Sequence, residues 1–387
     1  MLTGEAVEVP KGFVTYAGKA GIKDSWPDIS IVASTLPCVA DGVFTRSLFA
    51  GASVSLCRRH LREGSPRAIV TVAKNANVAT GPQGERDAAE LASLVADAIG
   101  GRPSDVLVAS TGVIGRPYPM EAIRAHLRGL RIPAGTNFPA VARAIMTTDT
   151  VPKLASARAG EAVLTGVAKG SGMIEPHMAT LLAYVFMDAA VAPATLAGAF
   201  RRVVDATFNS LSIDTDTSTS DSALVLANGA SGPPEEAQLE AALYAVCRSL
   251  TLQLAADGEG ATKVIQVNVT SARDRAQAKR VAKAVVNSPL VKCAVHGADP
   301  NWGRVVMAIG KCWQDADISP ERARVGFGDM EVYPHVPDEQ GLARLATVMA
   351  APKVEVNISL GTGQARATVW GCDLSREYVR INADYTT

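Results

Sequence analysis

The chain reads as an α/β protein in which helices cover sheets. Residues 68–73 and 106–109 are short apolar runs with the length and composition of buried strands. Between them, residues 85–99 place Ala88, Leu91, Leu94, Val95 and Ala98 on one helical face. Apolar strand runs and helical periods keep alternating along the rest of the chain, which is the pattern of layered α/β packing.

The elements follow in order. Arg58-Arg59-His60 is too short to be a basic patch and reads as a solvated loop. Gly100-Gly101 stops the helix over 85–99. Leu181, Leu182, Ala183, Tyr184, Val185 and Phe186 form an apolar, β-prone run ended by Asp188. Residues 193–208 are helical through Leu196, Phe200, Val203, Val204 and Phe208; residues 236–256 are helical through Leu239, Leu243, Val246, Leu250 and Leu254. Ser231-Gly232-Pro233-Pro234-Glu235 between them is a loop. A strand is expected over 264–270 and a helix over 273–286, whose Arg and Lys residues read as a solvated face. Val354, Val356, Ile358 and Leu360 alternate with polar residues as in a half-buried strand. Gly361-Thr362-Gly363 then suits a hairpin turn into residues 365–372.

Composition narrows the function. At 387 residues the chain can bury a large core in two or three domains at most. Lys+Arg and Asp+Glu are 38 each, so no basic field advertises nucleic acid. The six cysteines lack CxxC spacing, which fits reduced thiols rather than a zinc site or a disulfide framework. Residues 1–13 contain Glu5, Glu8 and Pro10 and no apolar core of a signal peptide, and no apolar run reaches membrane-spanning length. The expectation is a soluble cytoplasmic protein. Asp214, Asp216 and Ser218 resemble the start of a calcium loop, but Thr219 and Val225 occupy the positions that need Gly and Glu. Phosphate-loop, dinucleotide and His-Glu-x-x-His patterns are missing from the sequence.

The stretch with most chemistry is Lys169-Gly170-Ser171-Gly172-Met173-Ile174-Glu175-Pro176-His177-Met178-Ala179-Thr180. Thr180 stands at the mouth of the apolar run. If the Ala179–Thr180 bond were cut, Thr180 would carry a hydroxyl and a free α-amine together. That amine titrates near pH 7–8 in peptides, so it can act as the hydroxyl's own general base. On the residues alone, Gly170-Ser171-Gly172 reads first as an ordinary turn and Thr180 as an ordinary first strand residue, because most glycine turns before strands do no chemistry. Ser110-Thr111-Gly112 by itself reads as a polar turn after the strand over 106–109. His177 is incidental, and His296 reads as structural.

Further blocks are Asn75-Ala76-Asn77-Val78-Ala79-Thr80-Gly81, Ser110-Thr111-Gly112-Val113-Ile114-Gly115, Ile145-Met146-Thr147-Thr148-Asp149-Thr150 and Asp216-Thr217-Ser218-Thr219. They continue in Asp257-Gly258-Glu259-Gly260-Ala261-Thr262-Lys263, His296-Gly297-Ala298-Asp299-Pro300-Asn301-Trp302-Gly303-Arg304 and the C-terminal Tyr378-Val379-Arg380-Ile381-Asn382-Ala383-Asp384-Tyr385-Thr386-Thr387. Together with the Lys169–Thr180 block, and in this order over nearly the whole chain, they resemble the ornithine acetyltransferase family, the glutamate N-acetyltransferases of arginine biosynthesis. Ile213-Asp214-Thr215-Asp216 and Ser220 depart from the family's usual residues and look more like the member type associated with clavam biosynthesis.

The resemblance implies a four-layer αββα sandwich over residues 1–279, cut between Ala179 and Thr180, and a smaller α/β domain over 280–387 whose end returns to the active site. It implies Thr180 as nucleophile and Thr111 and Gly112 as oxyanion donors. It places Thr147, Lys169, Thr180, Glu259, Asn382 and Thr387 at the substrate, with Lys169 suited to a carboxylate and Glu259 to an ammonium. It implies no metal and no cofactor, small-molecule substrates (N-acetylornithine and glutamate), and a heterotetramer of two cleaved chain pairs. Three rivals stand beside acetyl transfer: an enzyme that also uses acetyl-CoA, an antibiotic-pathway paralogue, and an amidase or aminopeptidase of the same fold.

Overall fold

A computed structural model describes residues 7–175 and 181–384. The chain divides into two compact units, the first of residues 1–209 and 217–250, the second of 210–216 and 251–387. The boundary read at 279/280 falls inside the helix Arg275–Val286, within the second unit.

The first unit holds two sheets. One runs Phe13–Gly18, Ile29–Ser34, Ala68–Asn75, Val106–Val113, with the last pair parallel. The other runs Val39–Phe44, Ser222–Ala227, Leu182–Met187, Ala162–Lys169, Lys153–Ala159. Alternation along the strands sorts the side chains. Val32, Ile69 and Leu107 of the first sheet share one cluster with Val167, Leu182, Tyr184, Phe186 and Leu224 of the second, so the sheets pack face to face. Thr71 and Tyr184 bridge this interior by a 2.9 Å hydroxyl–hydroxyl hydrogen bond. The opposite side chains of the first sheet, Ile31, Val70, Val72 and Val108, pack with Leu91 and Val95 of the helix Gly81–Ile99. Behind the second sheet, Gly166 lies so close to Val246 and Leu250 of the helix Glu236–Ala256 that a Cβ there would stand 2.6 Å from Val246. The helix Pro193–Ala206 packs against the edge strand Val39–Phe44. The layers are therefore helix, sheet, sheet, helix, as the resemblance implied.

The second unit is a six-stranded sheet in the order Met330–Tyr333, Arg324–Phe327, Lys353–Ser359, Val264–Ala272, Ala365–Cys372, Leu211–Ser212. Ile265, Val267, Val354 and Val356 pack with Val281 and Val285 of Arg275–Val286 on one face.

Several local expectations change. The strands Lys353–Ser359 and Ala365–Cys372 do not form a hairpin: both pair with Val264–Ala272, one parallel and one antiparallel. Gly361-Thr362-Gly363 crosses the end of that central strand, with Thr362 and Gly363 donating to the Ser271 carbonyl at 2.8 and 3.0 Å. A Cβ on Gly363 would meet the Ala272 oxygen at 2.5 Å, so the glycine permits a crossing rather than a reversal. Arg58-Arg59-His60 lies in the helix Ala52–Glu63, not a loop, and His60 is buried with Nδ1 2.7 Å from the Val106 carbonyl. Ser110-Thr111-Gly112 continues the strand Val106–Val113 instead of turning away. The basic segment is not merely solvated: Arg280 of the helix Arg275–Val286 and Arg273 just before it reach the buried Asp315 at 2.6 and 3.0 Å.

Candidate active site

Thr111 stands near the end of Val106–Val113 and Lys169 at the end of Ala162–Lys169 in the facing sheet. Both are buried, and the Lys169 ammonium donates to the Thr111 hydroxyl oxygen at 3.0 Å. An ammonium only donates, so Thr111 accepts here and its hydroxyl hydrogen is left to point elsewhere. The ammonium also polarises that hydroxyl. Gly112 has φ +122, and a Cβ there would lie 2.1 Å from the Lys74 carbonyl oxygen, so only glycine fits. Lys74 opposite it holds φ 87, a left-handed value rare for a residue with a side chain.

Asp149 organises the floor beneath these groups. It accepts from Lys153 Nζ at 2.7 Å, from Gly170 N at 2.6 Å and from Thr147 N at 3.0 Å. The loop carrying Thr147 is thereby tied to the turn that follows Lys169. Burial pushes the Asp149 carboxyl up, but the ammoniums of Lys169 and Lys153 outweigh it and bring it down to about 2. Thr148 adds a 2.6 Å hydroxyl contact to Ser171. Thr147 and Asp149 line a cavity of about 320 Å³ with Lys23, Trp26, Arg143 and Met146. Lys23 Nζ fastens that loop through the Ala144 and Met146 carbonyls at 2.9 and 2.6 Å. Burial lowers its pKa to about 8, with Lys169 acting in the same direction and Asp28 against it.

In the second unit, Glu259 lies in the turn between Glu236–Ala256 and Val264–Ala272. Gly260, at φ +69, approaches the Tyr378 backbone nitrogen so closely that a Cβ would stand 2.5 Å from it. Ser375 donates to the Gly260 carbonyl at 2.7 Å and accepts from Glu377 N at 3.1 Å, which starts the helix Arg376–Asp384 against this turn. The helix brings Asn382 Nδ2 to 2.8 Å from Glu259 Oε2. Burial and the charges of Asp214, Glu259 and Asp216 all raise the pKa of Tyr378, so the surroundings of this phenol are acidic and favour a cation.

The sequence pattern of the ArgJ family matches residues 15–387. The chain belongs to the ArgJ family. It is 53% identical over 383 residues, covering 99% of each chain, to "Arginine biosynthesis bifunctional protein ArgJ 2" of Nostoc sp.. It is 51% identical over 387 residues, 98% of each chain, to "Glutamate N-acetyltransferase Oat2" of Streptomyces clavuligerus. It is 51% identical over 385 residues to "Arginine biosynthesis bifunctional protein ArgJ" of Rhodococcoides fascians, covering 98% of this chain and 94% of that one. The recognition reached from the sequence blocks and this membership agree.

Within the ArgJ chain, the structure brings Lys169 against Thr111 beside Gly112, ties Thr147 and the residue after Lys169 to Asp149, and brings Glu259 together with Asn382. Ala179, Thr180, His177 and Thr387 lie outside the described residues. Asp149, Lys153 and Lys23 were not singled out from the sequence. The signal for Asp149 was a lone acid between threonines with a lysine four residues on. Asn77, another block residue, is structural: it is buried, donates to the Gly84 carbonyl at 2.8 Å and accepts from the Thr80 hydroxyl at 2.8 Å, shaping the start of Gly81–Ile99. His296 binds Asp373 at 2.7 Å, as a structural histidine does. Among the described residues no group of His, Cys, Asp and Glu is placed to hold a metal ion, and no helix is long and apolar enough to cross a membrane.

Proposed function

We propose that this enzyme cuts itself at Ala179–Thr180 and moves acetyl from N-acetylornithine to glutamate through an acetyl-Thr180 intermediate. In maturation the Thr180 hydroxyl attacks the Ala179 carbonyl, the peptide becomes an ester, and water releases chains 1–179 and 180–387. In turnover the α-amine of Thr180 takes the hydroxyl proton as the oxygen attacks the acetyl carbon. The Thr111 hydroxyl and Gly112 N–H receive the oxyanion. Collapse expels ornithine with a proton, and the glutamate amine then attacks the ester by the reverse path. One site serves both halves, so the kinetics are ping-pong.

The observation that carries this reading is the buried Lys169–Thr111 contact, which leaves a polarised hydroxyl at the ends of facing strands. Lys169 and Thr147 then bind the substrate carboxylate side, and Glu259, Asn382 and Thr387 the ornithine ammonium side. The reading places two cleaved chain pairs in one cytoplasmic heterotetramer. A second reading, in which acetyl-CoA is also a donor, is favoured by the word "bifunctional" in the names of two relatives. The test is incubation of N-acetylornithine with and without glutamate. Transfer gives acetylglutamate only with glutamate present, whereas an amidase gives acetate in both. Acetyl-CoA with glutamate decides the second reading.

A further inference from the structure

Asp221 is a buried acid that the mechanism above does not use. It is 1% exposed, and neither of its carboxyl oxygens has a hydrogen-bond partner; Thr219 Oγ1 and Ser220 Oγ beside it are also buried and unpaired. Its place in the fold is specific. Ser222, the next residue, stands opposite Leu182 in parallel register, and Lys169 stands opposite the same Leu182 from the other side. Ser222 N donates to the Leu181 carbonyl at 3.1 Å. Asp221 thus lies at the strand end where Leu181 enters the sheet.

The groups facing its carboxyl are the Leu181 backbone N–H, the Thr45 hydroxyl and the Lys169 ammonium. The Thr45 hydroxyl already donates to the Ser218 carbonyl at 2.6 Å. Burial pushes the Asp221 carboxyl well above the usual range, with Leu181 and Lys169 opposing it. A buried carboxyl without a hydrogen bond of its own is a costly arrangement unless a partner arrives later. Cleavage before Thr180 creates an α-amine on the residue that immediately precedes Leu181 in the sequence.

We propose that Asp221 is the positioning residue for that new α-amine. Its carboxylate orients the amine toward the threonine hydroxyl and stabilises the α-ammonium that forms as the hydroxyl proton is taken up. The proton moves from hydroxyl to amine, and Asp221 neither gains nor loses one in that step. A buried aspartate serves a catalytic imidazolium in the same manner. The inference rests on the reading of Thr180 as the nucleophile.

The test is Asp221→Asn, which keeps the size and shape of the side chain and removes its charge, so the chain should fold, melt near wild type and still cut. A nearby carboxylate raises an amine's pKa. Removing it should move the acid limb of kcat/KM for N-acetylornithine to lower pH by about one unit or more, and lower the plateau about tenfold or more. Asp221→Glu, which keeps the charge, should restore the limb in part. A cut Asn variant with the wild-type plateau and limb overturns the proposal. So does a folded Asn variant that stays whole, since the residue would then act before the amine exists. A wild-type chain that never cuts sinks the Thr180 reading itself, whatever Asp221 does.

Discussion

The two groups of candidate residues are built in opposite ways. Thr111 and Lys169 are buried at strand ends, beside Gly112 at φ +122, and tied through Asp149 to a fully buried lysine. Asn382 is exposed on a surface helix and meets the half-buried Glu259 on a turn. The first arrangement suits charge that develops during reaction, where water must be excluded and donors must not move. The second suits a substrate ammonium that arrives solvated and has to leave. On the proposed reading, the rigid region receives the reacting atoms and the looser surface receives the departing amine.

The largest effect that separates the regions is on stability. Asp149→Asn removes the buried carboxylate that pairs with Lys153 and accepts from Gly170 N and Thr147 N, and should cost about 3–5 kcal/mol in denaturant unfolding. Glu259→Gln should cost less than about 0.5 kcal/mol in the same measurement. Equal losses would erase the contrast. Acid sharpens it further. The Asp149 carboxyl is held at about 2 in the folded chain, below its unfolded value, so its stabilisation is fully present above about pH 4 and is lost as pH falls toward 2. The wild type should lose about 2 kcal/mol over that window that the Asn variant does not lose.

Next in size is the rate effect of Thr111→Ala, about 10²–10³-fold in kcat with little change in substrate binding, because the donor acts mainly in the transition state. Unchanged turnover and cleavage would remove Thr111 from the mechanism. Smaller is Glu259→Gln, which should lower kcat/KM for N-acetylornithine about tenfold or more. It should spare loading of Thr180 from a small neutral acyl donor. A uniform loss for charged and neutral donors would return Glu259 to being a turn residue.

The helix Glu236–Ala256 and the strand Ala365–Cys372 were legible in the sequence to their ends, because a 3.6 period identifies the first locally and the glycine turn at 361–363 marks where the second begins. Ala162–Lys169 was not: every residue is buried on both faces, and small Ala, Val, Gly and Thr side chains leave no alternation to read. The expected hairpin failed for a related reason, since pairing of both strands to Val264–Ala272 depends on distant residues. Among the candidates, Thr111, Gly112 and Lys169 could be named from sequence blocks, but the contact between Thr111 and Lys169 joins two sheets and has no local signature. Asp149 and Asp221 look like polar loop residues in the sequence. Only burial reveals that one is held by two ammoniums and the other by none of its own strand neighbours.

The central claim is that Thr180 cuts the chain and then carries the acetyl group. Intact mass of the purified protein, beside its Thr180→Ala variant, tests it most directly. The account predicts two wild-type fragments beginning at Met1 and Thr180, a gain of one acetyl group on the second fragment after mixing with N-acetylornithine, and a single whole, unacetylated chain for the variant. A whole wild-type chain that still transfers acetyl, or a Thr180→Ala variant found as two fragments, would contradict it.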